Sequence, residues 1–148
     1  MTAVIPEGHV AAMRAILADD VEEYERRIRH VRESDGWASY GALIGAAFFE
    51  AADRRFGKDH TFAEIIQFVA DTRKDIDAVG GENIDPSAAE RLLLTAVGDE
   101  TADDLDGKTV TRVELVLLAA LIAADRLDDA GLDEFMAAAR NLADEWTS

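Results

Sequence analysis

Gly36-Trp37-Ala38-Ser39-Tyr40-Gly41-Ala42-Leu43-Ile44-Gly45-Ala46-Ala47-Phe48-Phe49 is the longest stretch of this chain without a charged residue. Its 14 residues fall short of the roughly 18 to 20 needed to cross a bilayer and match the length of a buried core helix. Within it and just beyond, Trp37, Tyr40, Leu43, Ile44 and Phe48 recur three and four apart, the spacing of a helix rather than a strand. A helix over 37–56 is therefore predicted, apolar on most sides, with Gly41 and Gly45 expected to let another helix approach closely. No segment alternates with period two over a useful length, so no sheet is expected.

Five further helices follow from stripes and caps. The first is predicted over 7–32, about 39 Å long at 1.5 Å per residue, with Val10, Met13, Leu17, Val21, Tyr24, Ile28 and Val31 on one face. Its other face pairs Glu22 with Arg26, Glu23 with Arg27 and Glu25 with Arg29, each at the favourable i,i+4 spacing. Thr61-Phe62-Ala63-Glu64 reads as a capping box opening a third helix, with Phe62, Ile65, Ile66, Val69 and Ile76 facing inward and Gly80-Gly81 ending it. Asp85-Pro86 opens a fourth, Pro sitting at the first helical position, and Gly98 stops it after Leu92, Leu93 and Val97. An acidic loop over 99–108 leads to a second capping box, Thr111-Arg112-Val113-Glu114, before the strongly apolar 115–124. A sixth helix over 129–146 is amphipathic through Leu132, Phe135, Met136, Ala139, Leu142 and Trp146.

These elements predict an all-α fold: one domain over residues 1–148, a bundle of about six helices around one core. An internal duplication stays open. An offset of 50 aligns Gly57-Lys58 with Gly107-Lys108, Thr61 with Thr111 and Glu64 with Glu114, whereas an offset of 72 aligns Ala51-Ala52-Asp53-Arg54 with Ala123-Ala124-Asp125-Arg126. The two registers are incompatible, as an alanine-rich chain would produce by composition.

Length and composition bound the function. The chain has 148 residues, 49% of them hydrophobic, with 15 Lys+Arg against 31 Asp+Glu for a net charge of −16, and no cysteine. That apolar content supports a packed core rather than a disordered polyanion. The charge disfavours direct binding to nucleic acid or to anionic membranes. Zero cysteine removes disulfides and thiol chemistry and fits a reducing, cytoplasmic setting. Neither a signal peptide nor a membrane span is expected.

Candidate chemistry is sparse. Glu22-Glu23-Tyr24-Glu25 and Glu50-Ala51-Ala52-Asp53 give E-x-x-E followed by E-x-x-D, which resembles the Mg²⁺-binding signature of all-α nucleoside triphosphate pyrophosphohydrolases. The resemblance covers these two tetrapeptides. It implies that Glu22, Glu25, Glu50 and Asp53 hold Mg²⁺ from two neighbouring helices, orienting a triphosphate and activating water. Residues 102–109 end like a phosphate-binding loop, but Ala102 stands where its first glycine belongs, and the same stretch lacks both end ligands of an EF-hand. Asp125, Asp128, Asp129 and Asp133 cluster at a helix junction, where capping and solvation explain them. Among His9, His30 and His60, only His60 has an acid at helical spacing, Glu64, and it reads as a residue at the start of a helix. Ser34, Ser39, Ser87 and Ser148 lie in no nucleophile motif.

Residues 99–148 hold 4 basic and 13 acidic side chains, net −9. The leading expectation is a non-enzymatic interaction or regulatory domain whose acidic C-terminal third meets a basic protein partner. The alternatives are the Mg²⁺-dependent pyrophosphohydrolase and a nucleic-acid-mimicking inhibitor of a DNA-binding protein. A homodimer through the stripe of the first helix is a further expectation.

Overall fold

A helix that buries most of its circumference must lie at the centre of its domain, and the uncharged stretch around Leu43 does so. In the computed structural model, which describes residues 5–33, 37–57, 59–98 and 105–147, it forms α3 (Trp37–Arg55). Tyr40, Leu43, Ile44, Ala46, Ala47, Phe48, Ala51 and Ala52 of α3 are all buried. Around it pack α1 (Glu7–Leu17), α2 (Val21–Glu33), α5 (Pro86–Ala96), α6 (Gly107–Asp125) and α7 (Asp129–Thr147). The remaining helix, α4 (Phe62–Ala78), lies against α5. All seven are α-helices, and no strand occurs among the described residues.

The close approach on α3 is made by alanines rather than by the two glycines. Ala46, Ala47 and Ala52 are fully enclosed, whereas a Cβ built on Gly41 would meet nothing within 4 Å. One on Gly45 would meet only the Trp146 ring, at an ordinary 3.7 Å. From α6 come Val113, Leu117, Leu118 and Leu121, and from α7 Leu132, Phe135, Met136, Ala139 and Ala143, all in one continuous core. Each large side chain so buried contributes roughly 1.5–3 kcal/mol.

The long first helix is two helices. Asp19 takes the left-handed conformation at φ 60°, and the chain turns there. The Asp20 N–H donates to the Ala15 carbonyl at 2.9 Å and the Asp19 N–H to Ile16 at 3.1 Å, the paired bonds of a Schellman ending. Asp20 then caps α2, its carboxylate accepting from the Glu23 N–H at 3.2 Å. An apolar stripe that continues in register hides this break, because α1 and α2 fold back on each other and both send their stripes into the same core. Along that stripe Met13, Ile28 and Val31 are buried and Val10, Leu17 and Tyr24 partly buried against the core, whereas Val21 is 50% exposed.

Two other expectations change. On α4, Ile65, Val69 and Thr72 are buried, but Phe62 is 53% and Ile66 40% exposed. That helix buries only a narrow stripe, with Phe68 meeting Phe56 edge to face at 5.7 Å. The start of α6 lies a turn earlier than the second capping box. Asp106 is its N-cap, its carboxylate accepting from both the N–H and the hydroxyl of Thr109 at 3.1 Å. The aligned Gly57 and Gly107 consequently differ in role: Gly57 is a turn residue at φ 56° and Gly107 the first residue of a helix. Thr61 caps α4, whereas Thr111 lies within α6. The Trp37 side chain, Lys58 and most of the acidic loop, residues 99–104, fall outside the described residues.

Candidate functional site

The displaced start of α6 changes what Glu114 is. In a capping box its carboxylate would turn back to the helix N-terminus. Seven residues into the helix it instead lies three, four and seven positions before Leu117, Leu118 and Leu121, on the edge of the stripe that α6 buries. The chain thereby carries a carboxyl half into its own core.

The surroundings of Glu114 form a notch of about 150 Å³ between α3, α5, α6 and α7. Gly45, Phe48 and Phe49 line it from α3, Leu92, Thr95 and Ala96 from α5, and Trp146 from α7. Phe49 and Trp146 meet edge to face at 5.9 Å. Gly45 keeps the floor open, since it has no side chain to fill the space beneath the Trp146 ring. The Thr95 hydroxyl donates to the Arg91 carbonyl at 2.8 Å, so its proton is already engaged within α5. Glu114 is the only ionisable group in the lining among the described residues. Burial, opposed by no neighbouring cation, raises its carboxyl to about 7. Among the described residues, no basic side chain forms an ion pair with it.

The four carboxylates of the E-x-x-E and E-x-x-D pairs form no group of three or more placed to hold a metal ion. Glu22 and Glu25 are exposed on α2, and Asp53 is exposed near the end of α3. Glu50 accepts from Arg54 Nε at 3.0 Å, and that guanidinium lies over the Phe135 ring at 5.2 Å from its centroid. A cation of the chain thus occupies the position beside Glu50. Among the described residues, no group of three or more His, Asp or Glu side chains is placed to hold a metal ion. On α2 the expected pairing also shifts, for Glu23 takes both Arg26 and Arg27.

Among the described residues of the C-terminal third, five acids have structural partners, Asp106 at the start of α6 being one. Asp128 caps α7, accepting from the Gly131 N–H at 2.7 Å. Asp133 and Asp129 pair with Arg14 of α1 at 2.5 and 3.7 Å. Asp144 accepts from the Ile5 N–H at 2.7 Å. The groove between α1 and α7, about 620 Å³, is lined by Arg14, Asp133 and Asp144 and by Arg140, which lies 3.7 Å from Glu7, so acids and bases alternate in it. His60 Nδ1 lies 2.8 Å from the Gly57 carbonyl, just ahead of α4, as its position at the start of a helix implies. His30 is exposed beside Glu33, and His9 is buried against Tyr40, ring centroids 6.0 Å apart.

Comparison of the chain with protein-family models, with curated proteins and with solved structures finds no match. No described helix is long and apolar enough to cross a membrane.

Proposed function

We propose that this chain is a non-enzymatic interaction domain that docks a basic partner protein on its acidic C-terminal third. The observation that carries the reading is the Glu114 carboxylate, held half-buried between aromatic walls with no countercharge from its own chain among the described residues. Ionising a buried carboxyl without a partner is costly, which is why Glu114 holds its proton up to about 7, and an incoming cation relieves that cost. The field of the whole molecule, −16 overall and −9 over residues 99–148, draws such a partner in and speeds encounter.

Charge also favours a heterotypic partner over a second copy, since two copies at −16 repel and most of the first-helix stripe packs in its own core. The metal-dependent hydrolase reading lacks a gathered carboxylate set among the described residues from which to act. Nucleic-acid mimicry would need a ridge of unengaged acids, whereas Asp106, Asp128, Asp129 and Asp133 serve as caps and ion-pair partners. The lack of cysteine fits a cytoplasmic setting.

The test is calorimetric titration of the full chain with lysine-rich and arginine-rich peptides, glutamate-rich peptides of equal length serving as controls. Saturable one-to-one binding of a basic peptide, weakening as salt rises, is expected. Binding to none of the basic peptides at low salt overturns the proposal.

A further inference from the structure

We propose that the notch at Glu114 is a lysine pocket: it admits the side chain of one lysine from a partner, the ammonium meeting the Glu114 carboxylate and the methylene stem lying against Phe49 and Trp146. This rests on the docking function above and names the chemistry of its ligand.

Size admits the ligand first. The notch, about 150 Å³ and open on one side to solvent, has room for an unbranched side chain such as that of lysine. Chemistry selects it next. The walls contributed by Phe48, Phe49, Leu92, Ala96 and Trp146 suit a hydrocarbon stem, while the single carboxylate suits a compact positive end. A neutral apolar ligand would cover the carboxylate without pairing it, and an anion would be repelled. Aromatic rings at the rim add attraction for a cation that passes their faces. Both Phe49 and Trp146 keep more than a third of their surface exposed, so a side chain can enter from solvent without moving the fold.

The experiment is an NMR titration of the full chain at pH ~8.5, where Glu114 is ionised, with n-butylammonium, which reproduces the lysine side chain, alongside butyrate and n-propylguanidinium. Shifts centred on the Glu114 carboxyl and on the Phe49 and Trp146 rings are expected with butylammonium, weaker ones with the guanidinium and none with butyrate. Glu114→Gln is expected to weaken butylammonium binding about tenfold or more, since a charge-assisted pair becomes a neutral one. This variant removes a half-buried charge and keeps the shape of the side chain, so it stays folded. A Trp146→Ala variant tests the aromatic wall separately and is expected to weaken binding as well.

Equal responses to butylammonium and butyrate, or unchanged binding in Glu114→Gln, overturn the lysine pocket. If a lysine-rich peptide still binds the Glu114→Gln chain as tightly as the original, the pocket fails while the docking function stands. If no basic peptide binds at all, the docking function fails, and the butylammonium titration still judges the notch by itself.

Discussion

Phe49 of α3 and Trp146 of α7 meet edge to face, ring centroids 5.9 Å apart at 78°, yet both rings stay open to solvent. Such a pair is worth about 0.5–1.5 kcal/mol beyond its buried area. It joins the central helix to the last one at the rim of the notch. The contact leaves aromatic surface exposed beside a carboxylate, which is the arrangement a docking site needs and a closed core does not.

Glu114 makes stability depend on pH in a direction opposite to that of an ordinary paired carboxylate. Its carboxyl rises from 4.5 to about 7 on folding because burial disfavours the charge. The folded state thus holds the proton more tightly, and stability falls as pH rises from about 4.5 to about 7, then levels off. Glu114→Gln is expected to stabilise the chain by about 1–3 kcal/mol above pH ~7 and by little near pH ~4. Thermal unfolding of both chains across this range checks it, and a constant difference between the two curves would refute it.

His9 bears the reverse sign. It is 5% exposed, its Nδ1 has no hydrogen-bond partner among the described residues, and burial lowers its pKa from 6.5. The unfolded chain therefore takes up the proton first as pH falls below 6.5, and stability drops with it. His9→Phe, which keeps the edge contact with Tyr40, should abolish that acid-side loss while leaving stability at pH ~8 within about 1 kcal/mol. Denaturant unfolding of both chains from pH ~8 down to pH ~5 reads this directly, with the Glu114→Gln background separating the two titrations.

On α4, neighbouring residues should respond very differently. Phe62→Ser is expected to change stability by no more than about 0.5 kcal/mol, because the ring is 53% exposed. Ile65→Ala should cost about 2–5 kcal/mol, since that side chain is fully enclosed. Urea unfolding midpoints compare them, and similar losses would show that α4 docks by a different face.

The turn between α1 and α2 offers a stabilising change and a destabilising one side by side. Asp19 sits at φ 60°, where glycine is the relaxed residue, so Asp19→Gly should raise stability by about 0.5–1 kcal/mol. Asp20→Ala removes the cap on the Glu23 N–H and should cost about 1 kcal/mol. If residues 7–32 formed one continuous helix in solution, Asp19→Gly would instead destabilise it by a similar amount, and calorimetry distinguishes the signs.

Helical class, the central position of α3 and most element ends were legible in the sequence because they depend on local chemistry. The Thr61 and Asp85 caps act within one turn, and Gly80 and Gly98 stop their helices at φ 72° and 89°, as glycine alone does without strain. The break at Asp19 was hidden because an aspartate, not a glycine, takes the left-handed position, and the stripe runs on across it. Three-dimensional packing decided the rest. Which side of α4 is buried depends on how few partners surround that helix, something Phe62 and Ile66 cannot report from their own spacing. Glu114 could have been found as an acid set among the positions of Leu117, Leu118 and Leu121, but the nearer Thr111 offered a local explanation. Its notch exists only because α3, α5 and α7 bring Phe49, Leu92 and Trp146 around it from positions far apart in the chain. Sequence determines what each segment can do alone, and burial of a charge is a property of its neighbours, which only the tertiary structure assembles.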